Sequence, residues 1–194
     1  RKTMMGNLKS KVPRMLETLL GRPLYGRVSR YLWRKAQLDA YDDFETNGES
    51  LLQRGIVEAS DRSGPLTVLD VGANVGAWSG ALLDKVERLG DRRLDLHLFE
   101  PSEDAVAALE ARFEGAERAE GVSVTIHPVA VADEPGVAEL SRTAPTAGTN
   151  SLKADPADEI EDTREVEVTT VDGFCDKQGI DHVDLVKVDT EGND

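Results

Sequence analysis

Residues 66–89 constrain the fold more than any other stretch. Leu66, Val68, Leu69 and Val71 form a short apolar run rich in β-branched residues, the pattern of a strand buried on both faces of a parallel sheet. Gly72 and Gly76 interrupt the run. From Ala77 to Leu89, the residues Trp78, Ala81, Leu82, Val86 and Leu89 recur at helical spacing. The reading is strand, glycine turn, helix. A helix N-terminus offers free backbone N–H groups and the positive end of its dipole, so such a turn holds a polar or anionic group closely. Glycine serves there because φ is positive or because a Cβ would collide with a ligand.

The stretches that follow repeat the alternation. Leu94–Phe99 reads as a second strand ending in Glu100-Pro101. Ser102 is a good helix N-cap, with Glu103 and Asp104 in the first turn and an apolar face of Ala105, Val106, Ala108, Leu109 and Phe113. Val122–Ile126 reads as a third strand. A βαβαβ rhythm predicts an α/β fold with a doubly wound, mostly parallel sheet. The rhythm then changes. Val129–Ala132, Val137–Ser141 and Glu165–Val171 are strand-like without helices between them, and Pro135-Gly136 signals a turn between the first two. Residues 142–162 form a long polar connection, either a mobile lid or disordered. Asp172–Gln178 is a short helix, and Val183–Val188 a fourth buried strand that runs into Asp189-Thr190-Glu191-Gly192.

Upstream of the first strand, residues 1–60 read as a basic, helical N-terminal extension. Within it, Glu49–Ala59 is a helix expected to turn Leu51, Leu52, Ile56 and Val57 inward. The chain of 194 residues carries a formal charge of −14, unevenly spread. Residues 1–38 hold ten Lys or Arg and one acid, Glu17, which leaves 13 basic and 36 acidic residues in the remainder. An acidic body repels phosphates and argues against a nucleic-acid partner. It is also similar to the acidic surfaces of halophilic proteins. The basic head is a solvated arm or a peripheral contact to anionic lipid. No apolar run approaches the ~20 residues of a membrane span. The single Cys175 fits a reducing compartment, and the expected location is cytoplasmic.

The chemistry starts at Asp70, Gly72 and Gly76. A dinucleotide turn would place glycine where Asn74 stands, and Asn there hinders close approach to a pyrophosphate. Asp70, two residues before Gly72, is a poor neighbour for a diphosphate and a good one for a cation. S-adenosylmethionine carries an ammonium and a sulfonium and no phosphate, so it suits this turn. Asp70 would hold its amino end through an ordered network. Glu100, at the end of the second strand, is placed to accept hydrogen bonds from both ribose hydroxyls. An NAD-dependent oxidoreductase would share Glu100 but want glycine at position 74.

Four segments in order, Val68-Leu-Asp-Val-Gly-Ala-Asn-Val-Gly76, Phe99-Glu-Pro101, Thr169-Thr-Val-Asp-Gly-Phe174 and Leu185-Val-Lys-Val-Asp-Thr-Glu-Gly192, resemble the FkbM family of class I S-adenosylmethionine-dependent methyltransferases. The resemblance covers about residues 66–192. It implies a Rossmann-like S-adenosylmethionine-binding domain over 61–194, and O-methylation of a hydroxyl on a sugar or other secondary metabolite. The acceptor would be a small molecule or a glycan. By resemblance, Asp70, Gly72, Asn74 and Gly76 line the methionine and ribose side, Glu100 binds the ribose, and Val129 and Ala130 approach the adenine.

Asp189 and Glu191, at the carboxyl end of the fourth strand, are the candidate catalytic pair, since ligands bind at that edge of doubly wound sheets. Asp189 would orient the acceptor hydroxyl or take its proton, or hold the sulfonium side electrostatically. The alternative for Asp189 is a structural pair with Lys187. His127 is the best lone histidine base, Asn150-Ser151-Leu152 is a polar turn or a segment over the acceptor site, and no metal-ligand spacing occurs. A complete fold of this kind continues past the fourth strand. The C-terminal part therefore reads as missing, with the fourth strand left as an edge and one sheet face short of a helix. An inactive remnant that binds cofactor or a partner is the rival reading.

Overall fold

Two strands, β1 (Leu66–Val71) and β2 (Leu94–Phe99), are buried at every position but their second. They are buried on both sides, so they occupy the middle of a sheet. The computed structural model describes residues 21, 25–26, 29, 48–59, 64–89, 92–114, 118–142 and 162–190. Glu191, Asn150-Ser151-Leu152 and nearly all of the basic head lie outside them. The chain divides into two units, Arg1–Gly48 and Glu49–Asp194. In the first, the Tyr25 N–H donates to the Gly21 carbonyl at 2.9 Å, a helical i to i−4 bond. Everything below concerns the second.

Its helices are α1 (Glu49–Ala59), α2 (Ala77–Leu89), α3 (Glu103–Phe113) and α4 (Val171–Gln178). The remaining strands are β3 (Val122–His127), β4 (Ala130–Val131), β5 (Gly136–Arg142), β6 (Asp162–Thr169) and β7 (Leu185–Val188). The main sheet is parallel, in the order β3-β2-β1-β7. Residues alternate between its faces, and helices lie on both. Ser79 of α2 reaches Asp70 on one face. Phe174 of α4 packs on Leu69, Val71 and Phe99 on the other. This is the mostly parallel, doubly wound α/β arrangement of a Rossmann-like fold. Leu94, Leu96 and Leu98 have no exposure, and each contributes about 2 kcal/mol by burial. Among the described residues, no helix is long and apolar enough to cross a membrane.

Several local expectations change in three dimensions. The helix Glu49–Ala59 forms, but its inward residues are Gln53 and Val57, with Leu51 74% and Leu52 55% exposed. The buried Gln53 is satisfied at both ends: its amide donates to the Trp78 carbonyl at 3.0 Å and accepts from Lys85 at 3.0 Å. That polar anchor sets the rotation of the helix, where hydropathy alone points to the leucines. Ser102 sits at the N-cap of α3 without capping it through its side chain; its backbone N–H turns back to Glu100 instead. The fourth strand, β7, pairs only with β1 among the described residues, and Val186 and Val188 are exposed rather than buried. Helix α4 covers Leu69, Val71 and Phe99 on that face, while Val186 and Val188, in register with Leu69 and Val71, stay open beside it.

The three irregularly spaced strands form a second sheet in the order β4-β6-β5. Strand β6 enters between β4 and β5, parallel to the first and antiparallel to the second. The turn at Pro135-Gly136 therefore joins strands that do not pair. The β5–β6 register runs out to Arg142 opposite Asp162, so the long connection closes a hairpin. Helix α4 follows, with Thr170 as a true cap: its hydroxyl accepts from the Gly173 N–H at 3.0 Å.

Candidate functional site

The site begins where β1 ends. The Gly72 and Ala73 N–H groups both donate to the Phe99 carbonyl of β2 at 3.0 Å, which ties the turn to the neighbouring strand. Gly72, Asn74 and Gly76 all have positive φ, at 75°, 49° and 73°. Asn is among the few non-glycine residues that accept this region. The two glycines are required by the surrounding protein. A Cβ on Gly72 would collide with the backbone carbonyl of Asp189, and one on Gly76 with the Phe113 ring of α3. The turn is thus clamped between the end of β7 and the end of α3.

Glu100 closes the turn from the side of β2. It is 7% exposed. One carboxylate oxygen accepts from the Asn74 N–H at 2.9 Å, the other from the Ser102 N–H at 2.9 Å. Each oxygen keeps acceptor capacity for a further donor. Burial pushes the Glu100 carboxyl up, and the two backbone bonds oppose the shift. Asn74 enters the site through its backbone, as a donor to Glu100.

Asp70 lies beneath the turn, inside a network of protein groups. It has no exposure. One oxygen accepts from Ser79 at 2.6 Å, and Lys187 lies 3.1 Å from the other. Its carboxylate is sealed by protein, so it makes no direct contact with a ligand, and its charge acts at a distance, as it does on Glu100. Burial raises its carboxyl above the ordinary range, while Lys187 and Ser79 pull it down. Lys187 donates to the Gly72 carbonyl at 3.1 Å and stands 3.5 Å from Asp189. The sequence pairs Lys187 with Asp189 alone; its partner Asp70 arrives from another strand. Asp189 itself is 63% exposed at the mouth, its N–H held by the Val71 carbonyl. Its intended companion, Glu191, lies outside the described residues.

The residues expected near an adenine are turned toward the interior. Ala130 is buried in β4, and Val129 packs against the cluster of Leu69, Val71, Phe99 and Phe174. An open cavity of about 390 Å³ lies between α3 and the second sheet, walled by Pro101, Ser102, Pro128 and Leu140, with Glu103, Arg164 and Glu165 also lining it; Glu100 is its neighbour in the chain and does not line it. No signal in the sequence pointed to Pro128 or Leu140, because the second sheet's position is a tertiary fact.

His127 is not a lone histidine. Its Nε2 lies 3.1 Å from Nδ1 of His97, across the β2–β3 ladder, and Asp95 stands 3.3 Å from the far side of His97. Phe99 stacks on the His127 ring and Phe174 meets it edge-on. Burial, and then His97, depress His127 to about 4, against the pull of Asp95. Burial likewise pushes the Cys175 thiol up, at the margin of the same apolar cluster. Among the described residues, no group of three or more His, Cys, Asp or Glu gathers as a metal site.

A comparison with curated proteins returns no match. The family profile described as the methyltransferase FkbM domain matches residues 70–194, which span the glycine turn, Glu100, both sheets and Asp189. Such a family implies a methyl donor. A match over well over half of the chain, on a parallel sheet whose carboxyl edge carries this turn, shows that the protein is a methyltransferase of the FkbM family.

Proposed function

We propose that this methyltransferase takes its methyl group from S-adenosylmethionine and delivers it to an oxygen of a hydroxyl acceptor, a small molecule or glycan of the sugar or secondary-metabolite class. The observation that carries the donor is Glu100: a buried carboxylate, preset by two backbone amides, beside a turn whose middle residue is Asn74. Such a carboxylate suits a pair of vicinal hydroxyls. The charges favour a cation over a diphosphate, since among the described residues Lys187 is the one cation set against Asp70, Glu100 and Asp189. Glu100 would hold the ribose, the turn from Gly72 to Gly76 the methionine side, and the cavity at Pro101 and Pro128 the adenine.

When bound, S-adenosylmethionine supplies an electrophilic methyl on a sulfonium sulfur. The chain supplies orientation and a proton acceptor. Asp189, exposed at the mouth, takes the hydrogen bond and then the proton of the acceptor hydroxyl. The acidic body disfavours a nucleic-acid acceptor.

Calorimetric titration tests this reading. S-adenosylmethionine binds and NADH does not. Glu100→Ala weakens binding by about 10- to 100-fold, the size of charge-assisted hydrogen bonds lost to two hydroxyls. Binding of NADH, or of neither ligand by a folded sample, overturns the reading.

A further inference from the structure

Lys187 is an ammonium inside an otherwise apolar strand, 16% exposed, with three oxygens around it, two from the end of β1 and its turn and one from just past its own strand. Asp70 lies opposite it in register on β1, at 3.1 Å. The Gly72 carbonyl, first residue of the turn, accepts from it at 3.1 Å. Asp189, just past the end of β7, is 3.5 Å away. Only the Gly72 carbonyl is hydrogen-bonded to it; Asp70 and Asp189 are its ion-pair neighbours, both within reach of an ammonium that has three N–H donors and no acceptor. If the lysine served only to neutralise Asp70, the Gly72 carbonyl and the exposed Asp189 carboxylate would not need to converge on it. The convergence is tightened by Gly72 itself, which has room for no side chain because the Asp189 backbone closes on it.

We infer that Lys187 is a positioning residue that locks the glycine turn to the carboxylate at the end of β7, so that the donor-binding turn and Asp189 hold one relative placement. The inference rests on the proposed donor reading. It adds that the two halves of the site are coupled through one ammonium. Asp70 is the buried counter-charge that keeps this ammonium in the sheet. Gly72 and Asp189 are what it holds. A small misplacement between a bound donor and a catalytic group lowers turnover by as much as ~100-fold, which makes such a lock functional rather than ornamental.

The test separates positioning from charge compensation. Asp70→Asn removes the buried charge and leaves Lys187 with both Gly72 and Asp189. Asp70→Asn/Lys187→Met removes the lock in that uncharged background. Each variant is compared by thermal melting, by amide hydrogen exchange at residues 72–76, and by calorimetric titration with S-adenosylmethionine. The expected result is similar melting, but exchange at the turn faster and affinity weaker in the double variant, each by about tenfold or more, as for one lost charge-assisted hydrogen bond. Unchanged exchange and affinity overturn the inference. Faster exchange with unchanged affinity also overturns it, by making Lys187 a strut of the fold. If the double variant does not fold, Asp189→Asn, at an exposed position, reads the same coupling from the other end. Severalfold faster exchange at Gly72 supports the lock, and no change overturns it. Should the wild-type protein bind no S-adenosylmethionine while the turn still loosens, the lock stands and the donor assignment falls.

Discussion

Asp70 and Lys187 face each other across the β1–β7 ladder, their charged atoms 3.1 Å apart, with the carboxylate wholly inside the protein. Such a pair adds little net stability while both members are present, because desolvation offsets attraction. Removing one member is different. Lys187→Met leaves a buried carboxylate without its cation and should destabilise the fold by about 3–5 kcal/mol near neutral pH. The sign of the pH dependence follows from burial, which raises the Asp70 carboxyl in the native state. A raised carboxyl binds its proton more tightly when folded. Its contribution is therefore fully present at low pH and is lost as pH rises through the folded-state value. Melting of Lys187→Met should accordingly improve as pH is lowered from 8 toward 5, and adding Asp70→Asn should remove that slope. A flat profile for Lys187→Met would disprove the account.

The histidine pair predicts the opposite slope in the wild-type protein. His127 is depressed to about 4, below the value of an unfolded histidine, so the native state resists its protonation. The stability it contributes is present above about pH 6.5 and is lost as pH falls toward 4. For this half-buried ring, the loss is on the order of 1–2 kcal/mol after discounting for solvent. His127→Phe keeps the stacking on Phe99 and the edge contact with Phe174 while deleting the titration. Chemical denaturation at pH 7, 5.5 and 4.5 should show a smaller loss in the variant than in the wild type.

Gly72 and Gly76 share a positive φ but differ in what fills the space beside them. Gly72→Ala and Gly76→Ala each lose about 1–2 kcal/mol from backbone conformation alone. Gly72→Ala should lose more, because the obstacle is the Asp189 backbone carbonyl at the end of a paired strand, whereas Gly76→Ala meets the side chains of Phe113 and Leu109. Urea unfolding of the two variants should rank them in that order. Trimming Phe113 to Leu should rescue part of the second loss and none of the first.

Acidic residues also face each other on the second sheet. Glu139 stands directly opposite Glu165 in the antiparallel β5–β6 pair, both exposed. Like charges in that position repel. Salt screens them, with a Debye length of about 10 Å at 0.1 M and about 3 Å at 1 M. The melting temperature should rise between 0.05 M and 1 M sodium chloride. Glu165→Lys should raise it at low salt, by the equivalent of about 0.5–1 kcal/mol, and flatten the rise. A wild-type protein that loses stability over this range would refute both this repulsion and the likeness to halophilic surfaces.

Local pattern was enough to mark β1, the glycine turn, α2, β2 and Glu100, since each is written within a few residues: an apolar run, a break, a period of 3.6, an acid at a strand end. It was also enough to predict a parallel sheet, because alternating strands and helices of these lengths leave few other arrangements. Periodicity misjudged α1, where a buried glutamine rather than the leucines faces inward. Its apolar pattern marks β7 as a buried strand, yet Val186 and Val188 are exposed, since hydropathy reports what a residue tolerates and not which neighbour arrives.

The partners themselves were tertiary decisions. The pairing of β7 with β1 brings Lys187 to Gly72 from 115 residues away and sets it against Asp70. The pairing of β3 with β2 joins His127 to His97, and the insertion of β6 between β4 and β5 walls the cavity at Pro101 and Pro128. Hydrogen bonds and ion pairs act over a few ångströms, so their chemistry is fixed only when distant strands lie side by side. The sequence by itself determined that a glycine turn would form between β1 and α2, flanked by Asp70 and Glu100. The sheet decided which ammonium holds that turn to Asp189.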